Sequence, residues 1–291
     1  MQAFGRLLDV LDELRQKCPW DKKQTNESLR PNTIEETFEL ADAIMRGDTH
    51  DMMKELGDVL MHTCFYAMIA REQGLYDIAD VLNTEADKLI FRHPHVYHHS
   101  QVGQEHPRPL PYVPEDDQTT DDFSKAETSG EVLKNWEQIK LREKDGNKTV
   151  LSGVPASLPS LIKAYRIQDK ARNVGFDWEK KEDVWQKVRE ELGELEAELR
   201  RELPAEATDE QKASIRAAQE AELGDYLFSV INAARLYHLN PENALEHTNQ
   251  KFIRRFGYIE EHSIRAGRPL NEMTLEEMDQ LWNEAKKLEN P

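Results

Sequence analysis

The sequence predicts an all-α protein built from two similar helical modules. Apolar residues recur at spacings of three and four along most of the 291 residues, which is the period of an amphipathic helix. The 13 Gly and 13 Pro are too few for a sandwich or barrel, which needs turn residues about every 8–12 positions. The third observation is an internal repeat of short motifs in the same order in both halves.

Turn and stop residues divide this pattern into successive helices. We expect the second helix to begin near Pro31, since proline suits a first turn, and to end at Gly47. Gly74 ends the third helix and Pro94 closes the fourth. The predicted helices cover approximately residues 4–17, 31–46, 51–73, 77–92, 131–144, 160–172, 182–203, 209–237, 241–262 and 274–288.

Apolar stripes on four of these helices are expected to be buried. The first helix carries Phe4, Leu7, Leu8, Leu11 and Leu14, and the third carries Met53, Leu56, Leu60, Cys64 and Ala67. In the second half the stripes are Val184, Val188, Leu192, Leu195 and Leu199, then Leu223, Leu227, Val230 and Ala234. Stripes of this length need partner helices to cover them.

Residues 98–130 break the helical pattern. They contain four prolines and then an acidic run with Ser and Thr, which is typical of a linker or a long exposed loop. The predicted organisation is therefore an N-terminal module at 1–97, an extended linker at 98–130 and a C-terminal module at 131–291.

Composition excludes several classes of function. The chain has 38 Lys and Arg against 56 Asp and Glu, a net charge of −18 that repels phosphate backbones, so we expect no nucleic-acid partner. No apolar run approaches the roughly 20 residues of a membrane span, and the acidic first helix does not suit a signal peptide. Cys18 and Cys64 cannot build a disulfide framework. We therefore expect a reduced, cytoplasmic protein without membrane partners.

The repeat pairs four motifs of each half. The first copy reads Trp20-Asp21, Glu35-Glu36-Thr37-Phe38-Glu39, Glu55-Leu56-Gly57-Asp58 and Lys88-Leu89-Ile90-Phe91-Arg92. The second reads Asp177-Trp178, Glu190-Glu191-Leu192-Gly193-Glu194, Glu222-Leu223-Gly224-Asp225 and Lys251-Phe252-Ile253-Arg254-Arg255. Most of the chain is thus two copies of one helical module.

Acidic pairs are the most informative part of the repeat. Glu191 and Glu194 share one helix face, and Glu222 and Asp225 do so on the next helix, so packing of the two brings four carboxylates together. Their repulsion requires cations, and oxygen ligands without Cys or His favour Mg²⁺, or Mn²⁺ as a substitute. One such pair alone is usually a solvated acidic face. Because the set occurs twice, we interpret it as a metal site, with a second set at Glu36, Glu39, Glu55 and Asp58.

Basic residues differ between the two copies. Lys251 and Arg255 are one turn apart and suit either a phosphate clamp or an ordinary surface salt bridge. At three other places the second copy has a cation that the first copy lacks: Lys187, Arg189 and Arg254 correspond to Asn32, Ile34 and Phe91. We therefore expect the second module to carry the catalysis.

Histidines also cluster, but without a metal-site pattern. The tract His93, His95, His98, His99 and His106 is interrupted by proline and lacks thiolates, so it is interpreted as a loop rather than a metal site. His62 lies four residues after Asp58, and we interpret it as a packed core histidine rather than a support for the acids.

The motifs together resemble the MazG family of nucleoside triphosphate pyrophosphohydrolases over nearly the whole chain. The resemblance rests on Cys18-Pro19-Trp20-Asp21-Lys22, the Glu35–Glu39 and Glu55–Asp58 motifs, Arg92-His93-Pro94-His95-Val96, Asn173-Val174-Gly175-Phe176-Asp177-Trp178 and Phe252-x-Arg254-Arg255-Phe256. It implies tandem MazG modules, four-helix bundles and a homodimer. The segments 98–130 and 203–208 look longer than this resemblance implies.

Roles for individual residues follow from the resemblance. It implies metal ligands at Glu191, Glu194, Glu222 and Asp225, and catalytic carboxylates at Glu190, Glu191 and Glu194. The implied nucleotide contacts are Lys140, Lys187, Arg189, Glu190, Glu222, Lys251, Arg254, Arg255 and Trp282. The activity implied is Mg²⁺-dependent hydrolysis of NTPs or dNTPs, ATP among them, to the monophosphate and pyrophosphate. The alternative is a non-catalytic nucleotide or metal sensor on the same scaffold.

Overall fold

The computed structural model describes residues 2–97, 125–142, 149–201 and 206–289, and this part of the chain contains helices and turns but no strand. The all-α prediction is confirmed. The chain forms two compact units, Met1–Gly146 and Asn147–Pro291. Within the described ranges, every helix is too short or too polar to cross a lipid bilayer.

The first unit is organised around a long helical hairpin. Its helices are α1 (Gln2–Lys17), α2 (Asn26–Arg46), α3 (Thr49–Glu72), α4 (Ile78–Arg92), the short α5 (Pro94–Tyr97) and α6 (Ser129–Arg142). Helices α2 and α3 pack along each other, and α1 and α4 pack on α3. The core is formed by Leu11, Leu29, Cys64, Phe65, Met68 and Ile69.

Helix α2 begins at Asn26 rather than near Pro31. The reason is a reciprocal cap: Ser28 N donates to Thr25 Oγ1 at 3.2 Å, and Thr25 N donates to Ser28 Oγ at 2.8 Å. Pro31 therefore lies inside α2, beyond its first turn, and removes one helical hydrogen bond there. The predicted stop is confirmed, since Gly47 closes α2 with a φ of 66°.

Helix α6 is placed differently from the prediction. The sequence assigned residues 131–146 to the C-terminal module, but α6 packs on α4 within the first unit. Ile139 is buried there, and Trp136 makes an edge contact with His93 at 4.9 Å between ring centroids. These contacts attach α6 to the helices that precede it. Most of the predicted linker at 98–130, with His98, His99 and His106, and part of 203–208 lie outside the described residues.

The second unit repeats the hairpin arrangement. Its helices are α7 (Ser160–Asn173), α8 (Val184–Leu199), α9 (Asp209–Leu236), α10 (Pro241–Ala266) and α11 (Leu275–Glu289). Helices α8 and α9 pack along each other, α7 lies on α9 and α10, and α10 pairs with α11. The core residues are Val184, Val188 and Ala233, with Tyr226, Val230, Leu236 and Tyr237 packed against them.

The predicted apolar stripes are buried over only part of their length. In the first unit Leu11, Cys64 and Ala67 are buried, whereas Leu14, Met53, Leu56 and Leu60 are exposed. In the second unit Val184, Val188 and Leu195 are buried, whereas Leu192, Leu199, Leu223 and Leu227 are exposed. The prediction of continuous burial is therefore wrong for a single chain. The hairpins extend their apolar faces beyond the helices that cover them.

Candidate functional site

Helices α8 and α9 bring three of the predicted acids together. One carboxylate oxygen each from Glu191, Glu194 and Glu222 lies within 4.8 Å of the others. Glu191 is buried, Glu222 is half-buried and Glu194 is exposed. Spacing by one turn places Glu191 and Glu194 on the same face of α8, and hairpin packing places that face against α9.

Charge at this cluster is only partly balanced within the chain. Lost hydration and the charges of Glu191 and Glu222 raise the pKa of Glu194 above its usual value. Lys187 Nζ lies 2.8 Å from Glu190 Oε1 and 2.6 Å from Glu191 Oε1. Lys187 donates to both carboxylates, and these hydrogen bonds, the one to Glu190 having the larger effect, raise the pKa of Lys187. One lysine faces several carboxylates, so the cluster favours the binding of further cations.

A cavity of about 580 Å³ adjoins the acid cluster. Glu191, Asp225 and Lys187 belong to its lining, so Asp225 faces this cavity while the other three acids form the cluster. Gln168, Ser229, Asn232 and Arg235 add polar groups. The rest of the wall is largely apolar and aromatic and includes Leu151, Ile167, Ala171, Phe176, Trp178 and Phe228.

An ion pair between buried Arg235 and the more accessible Asp177 attaches one wall of the cavity to α9. Arg235, only 4% exposed, donates from both terminal nitrogens to the two carboxylate oxygens of Asp177. Arg235 Nη2 also donates to Asn232 Oδ1 at 2.8 Å. Burial opposes ionisation of Asp177, but the bonds from Arg235 outweigh it and hold the pKa of Asp177 below its usual value. This ion pair, which we call the Arg235–Asp177 clasp, fixes the turn that carries Phe176 and Trp178.

The first unit has a corresponding acid cluster on α2 and α3. Oxygens of Glu36, Glu39 and Glu55 lie within 4.8 Å of one another. Lost hydration, then the charges of Asp58 and Glu39, raise the pKa of Glu36. Glu39 and Glu55 line a cavity of about 430 Å³ there.

His62 lies in the core of the first unit. It is buried on α3, and its Nδ1 lies 2.9 Å from Thr33 Oγ1, which also lies 2.6 Å from the Tyr66 hydroxyl. Burial lowers the pKa of His62. The interpretation of His62 as a packed core histidine is therefore confirmed.

Several predicted nucleotide contacts lie away from the cavity lining. Arg254 and Arg255 approach Glu289 of α11 at 3.4 and 2.7 Å, and Arg255 lies 5.5 Å from the ring centroid of Trp282. Lys251 is exposed on α10. Among the described residues, the cavity lining includes none of these four.

The other predicted contacts are also spread along the chain. Lys140 lies on α6 of the first unit, 5.5 Å from the ring centroid of Trp136. Arg189 and Glu190 are exposed on α8, and Glu190 is paired with Lys187. Within the second unit, the structure thus brings Lys187, Glu191, Glu194, Glu222 and Asp225 to one place. The cavity lining does not include Arg189, Lys251, Arg254 or Arg255.

Sequence reasoning missed Gln168 and Arg235 as members of the site. The sequence indicates one member of the Arg235–Asp177 ion pair, because Asp177 belongs to a repeated motif. Its partner Arg235 is 58 positions away and has no repeat signal. Gln168 lies in a helix with no distinctive pattern, so only packing of α7 on α9 indicates its position.

Comparisons with known proteins agree with these motifs. The family described as MazG nucleotide pyrophosphohydrolase domain matches residues 24–97. The chain is 37% identical over 294 residues to a nucleoside triphosphate pyrophosphohydrolase of Escherichia coli (strain K12), covering 99% of each. It is 38% identical over 286 residues to the nucleoside triphosphate pyrophosphohydrolase/pyrophosphatase MazG of Thermotoga maritima, covering 97% of this chain and 95% of that one.

Proposed function

The chain belongs to the MazG family of nucleoside triphosphate pyrophosphohydrolases, and from this premise we propose that its α8–α9 hairpin hydrolyses NTPs or dNTPs to the monophosphate and pyrophosphate. The observation that carries the proposal is the Glu191–Glu194–Glu222 cluster on the edge of a cavity large enough for a nucleoside. The names of the relatives favour an enzyme acting on acid anhydrides over the alternative of a non-catalytic sensor.

The donor set fits a hard divalent cation. Three carboxylate oxygens lie within 4.8 Å of one another, and no Cys or His of the described residues belongs to the group. Lost hydration, followed by the charges of Glu191 and Glu222, raises the pKa of Glu194. Mg²⁺ prefers such oxygen ligands, and Mn²⁺ accepts them. We propose that Glu191, Glu194 and Glu222 hold Mg²⁺ together with Asp225. When bound, Mg²⁺ supplies positive charge to the phosphates and lowers the pKa of water.

The side chains of this chain perform the remaining tasks. Lys187 lines the cavity beside Glu191 and supplies a positive charge that stabilises phosphate oxygens. A carboxylate of α8, either Glu190 or a cluster member, accepts the proton of the attacking water. Attack at the α-phosphorus breaks the bond to the bridging oxygen, and pyrophosphate leaves with that oxygen. The apolar cavity wall keeps bulk water from the substrate.

The remaining candidates stay proposed nucleotide contacts: Lys140, Arg189, Lys251, Arg254, Arg255 and Trp282. We propose that the protein is a homodimer. Leu192, Leu223 and Leu227 are exposed on the acid-bearing hairpin, and a second hairpin covering them completes a four-helix bundle. A dimer also offers the partner's basic residues to the nucleotide.

A panel of NTPs and dNTPs tests the proposed activity. In the presence of Mg²⁺, the purified protein is expected to release the monophosphate and pyrophosphate in equal amounts, identified by ion-exchange chromatography. Omission of Mg²⁺ or addition of a chelator should abolish the release. Formation of the diphosphate and inorganic phosphate would overturn the proposed bond cleavage. Nucleotide binding without any product would instead support the sensor.

A further inference from the structure

We propose that the cavity beside Glu191 and Asp225 binds the nucleobase of the triphosphate. The base stacks on Phe176, and an N–H group of the base donates a hydrogen bond to the side chain of Gln168. The proposal rests on the proposed function, because it places the base relative to phosphates held at the acid cluster. It assigns substrate specificity to the turn after α7 and to α7 itself.

The position of the cavity supports this assignment. Glu191, a member of the acid cluster, lines the cavity together with Asp225 and Lys187, and much of the remaining wall is aromatic or aliphatic. Phosphates bound with cations at the acid cluster leave the nucleoside to extend along the apolar walls. The volume of about 580 Å³ is within the usual range for small-molecule sites.

Phe176 is placed to stack on a base. It lines the cavity although its side chain is 83% exposed, which is unusual for a large apolar residue in a structured turn. Gly175 precedes it with a φ of +90°, a conformation that favours glycine. Asp177 follows it and is held by buried Arg235. A fixed turn thus presents an exposed aromatic face beside an apolar cavity, which suits a planar base.

Gln168 supplies the polar contact. It is only 6% exposed and lines the same cavity, and its Nε2 donates to the Phe228 carbonyl oxygen at 2.8 Å. This bond fixes the orientation of the amide and leaves Oε1, which is buried without a hydrogen-bond partner among the described residues. A buried unpaired acceptor is disfavoured, so a ligand N–H, such as the 6-amino group of adenine, satisfies it.

Stacking is tested with a substrate that lacks a base. We expect Phe176→Ala to lower kcat/KM for ATP by about tenfold or more, mainly through KM, since stacking on an aromatic residue contributes that much. The same variant should hydrolyse ribose 5′-triphosphate as the wild type does. Ile264→Ala is the control, because Ile264 is 78% exposed on α10 and lies outside the cavity lining.

The hydrogen bond between the base and Gln168 is tested with a purine nucleotide that lacks the 6-amino group. The wild type should prefer ATP over purine riboside 5′-triphosphate by about tenfold or more in kcat/KM. Gln168→Met keeps the side-chain length without the amide, and it should reduce this ratio to near one while activity on the purine riboside compound remains. Thermal unfolding of each variant checks that the fold is retained.

Each contrary result has a separate meaning. Equal losses on ATP and ribose 5′-triphosphate in Phe176→Ala, or no loss on either, would overturn stacking. A wild-type ratio near one, or a ratio unchanged in Gln168→Met, would overturn reading by Gln168. If the wild type released no pyrophosphate from any triphosphate, the proposed function would fail instead. The affinities of the wild type and of Phe176→Ala for ATP and for ribose 5′-triphosphate, measured by calorimetry with Ca²⁺, would then test the base site. Phe176→Ala should weaken the binding of ATP only.

Discussion

Lys187 is the residue that most clearly distinguishes the two acid clusters. It pairs with both Glu190 and Glu191 on α8, whereas the corresponding position on α2 is Asn32. A lysine fixed beside the acids offsets part of their repulsion and stays available to phosphate oxygens. We therefore expect the α8–α9 hairpin, and not the α2–α3 hairpin, to accept a highly charged substrate.

Replacement of Asp225 by Asn is expected to abolish activity without unfolding the protein. Asp225 is exposed at the cavity and belongs to no hydrophobic cluster, so only a ligand charge is lost. We expect kcat/KM to fall on the order of a hundredfold or more, since metal stabilisation of the transition state contributes several kcal/mol. Steady-state kinetics at saturating Mg²⁺, with circular dichroism as control, measures this. Retention of most of the wild-type rate would contradict the assignment.

Glu194→Gln should make the metal-free protein more stable at neutral pH. Because the folded pKa of Glu194 is raised from 4.5, the folded state binds more protons than the unfolded chain just above pH 4.5. Stability contributed by this group therefore falls as pH rises through that window and stays lower at pH 7. We expect a higher Tm for the variant without Mg²⁺ and a smaller gain on adding Mg²⁺. Identical Mg²⁺-induced shifts in both proteins would exclude Glu194 as a ligand.

The helical hairpin is the element that builds each cluster. In both units, two consecutive helices present carboxylates one turn apart and hold three oxygens within 4.8 Å. The hairpins differ in what adjoins the acids: about 580 Å³ of largely apolar cavity at α8–α9, and about 430 Å³ at α2–α3 lined mostly by charged residues. The same element therefore adjoins cavities of different volume and polarity in the two units.

Paired double variants compare the two hairpins. Glu39→Gln with Asp58→Asn should leave most activity, whereas Glu194→Gln with Asp225→Asn should remove it. The reason is that the first copy lacks the cations at the positions of Lys187, Arg189 and Arg254, so it binds a triphosphate weakly. The rate of pyrophosphate release by each purified double variant tests this expectation. Equal losses, or the opposite pattern, would refute the asymmetry.

The clasp between the turn and α9 is expected to contribute substantially to stability. Asp177→Ala leaves the Arg235 guanidinium buried without its carboxylate, at a cost of about 3 kcal/mol in the free energy of unfolding. The stability that Asp177 contributes is present above its unfolded pKa of 3.8 and is lost as pH falls through the lower folded value. Urea denaturation at pH 7 measures the difference. A change below about 1 kcal/mol would show that the ion pair is replaced by water.

At the scale of the whole molecule, exposed apolar residues point to assembly. Leu192, Leu199, Leu223 and Leu227 continue stripes whose other members are buried or half-buried, so the uncovered part matches a helix face and not scattered surface residues. In the first unit Met53 and Leu56 are exposed in the same way. These faces are suited to a second copy of the chain.

Light scattering tests the dimer. The wild type should have twice the mass of the 33.8 kDa chain, and Leu227→Lys should shift it toward the monomer, because a charge would be buried in the interface. Leu275→Lys, on α11 and 69% exposed, is the matched control and should remain dimeric. A fully active wild-type monomer at working concentration would contradict the proposal.

The helical class, the repeated hairpins and the converging acids are readable from the sequence without the folded structure. The period of apolar residues and the one-turn spacing of Glu191 and Glu194 are properties of a helix alone, so they are readable without its neighbours. Helix ends at Gly47 and Gly74 were readable for the same reason, since local backbone conformation decides them.

The surroundings of the acids depend on how the helices pack. The cavity depends on α7, the turn after it and α9 meeting in space, and the Arg235–Asp177 pair joins residues 58 positions apart. Burial varies along each stripe because coverage depends on which helices are neighbours, and no periodicity records that. Helix α6 joined the first unit through contacts with α4. Packing is a property of pairs of elements, whereas the sequence pattern describes one element at a time.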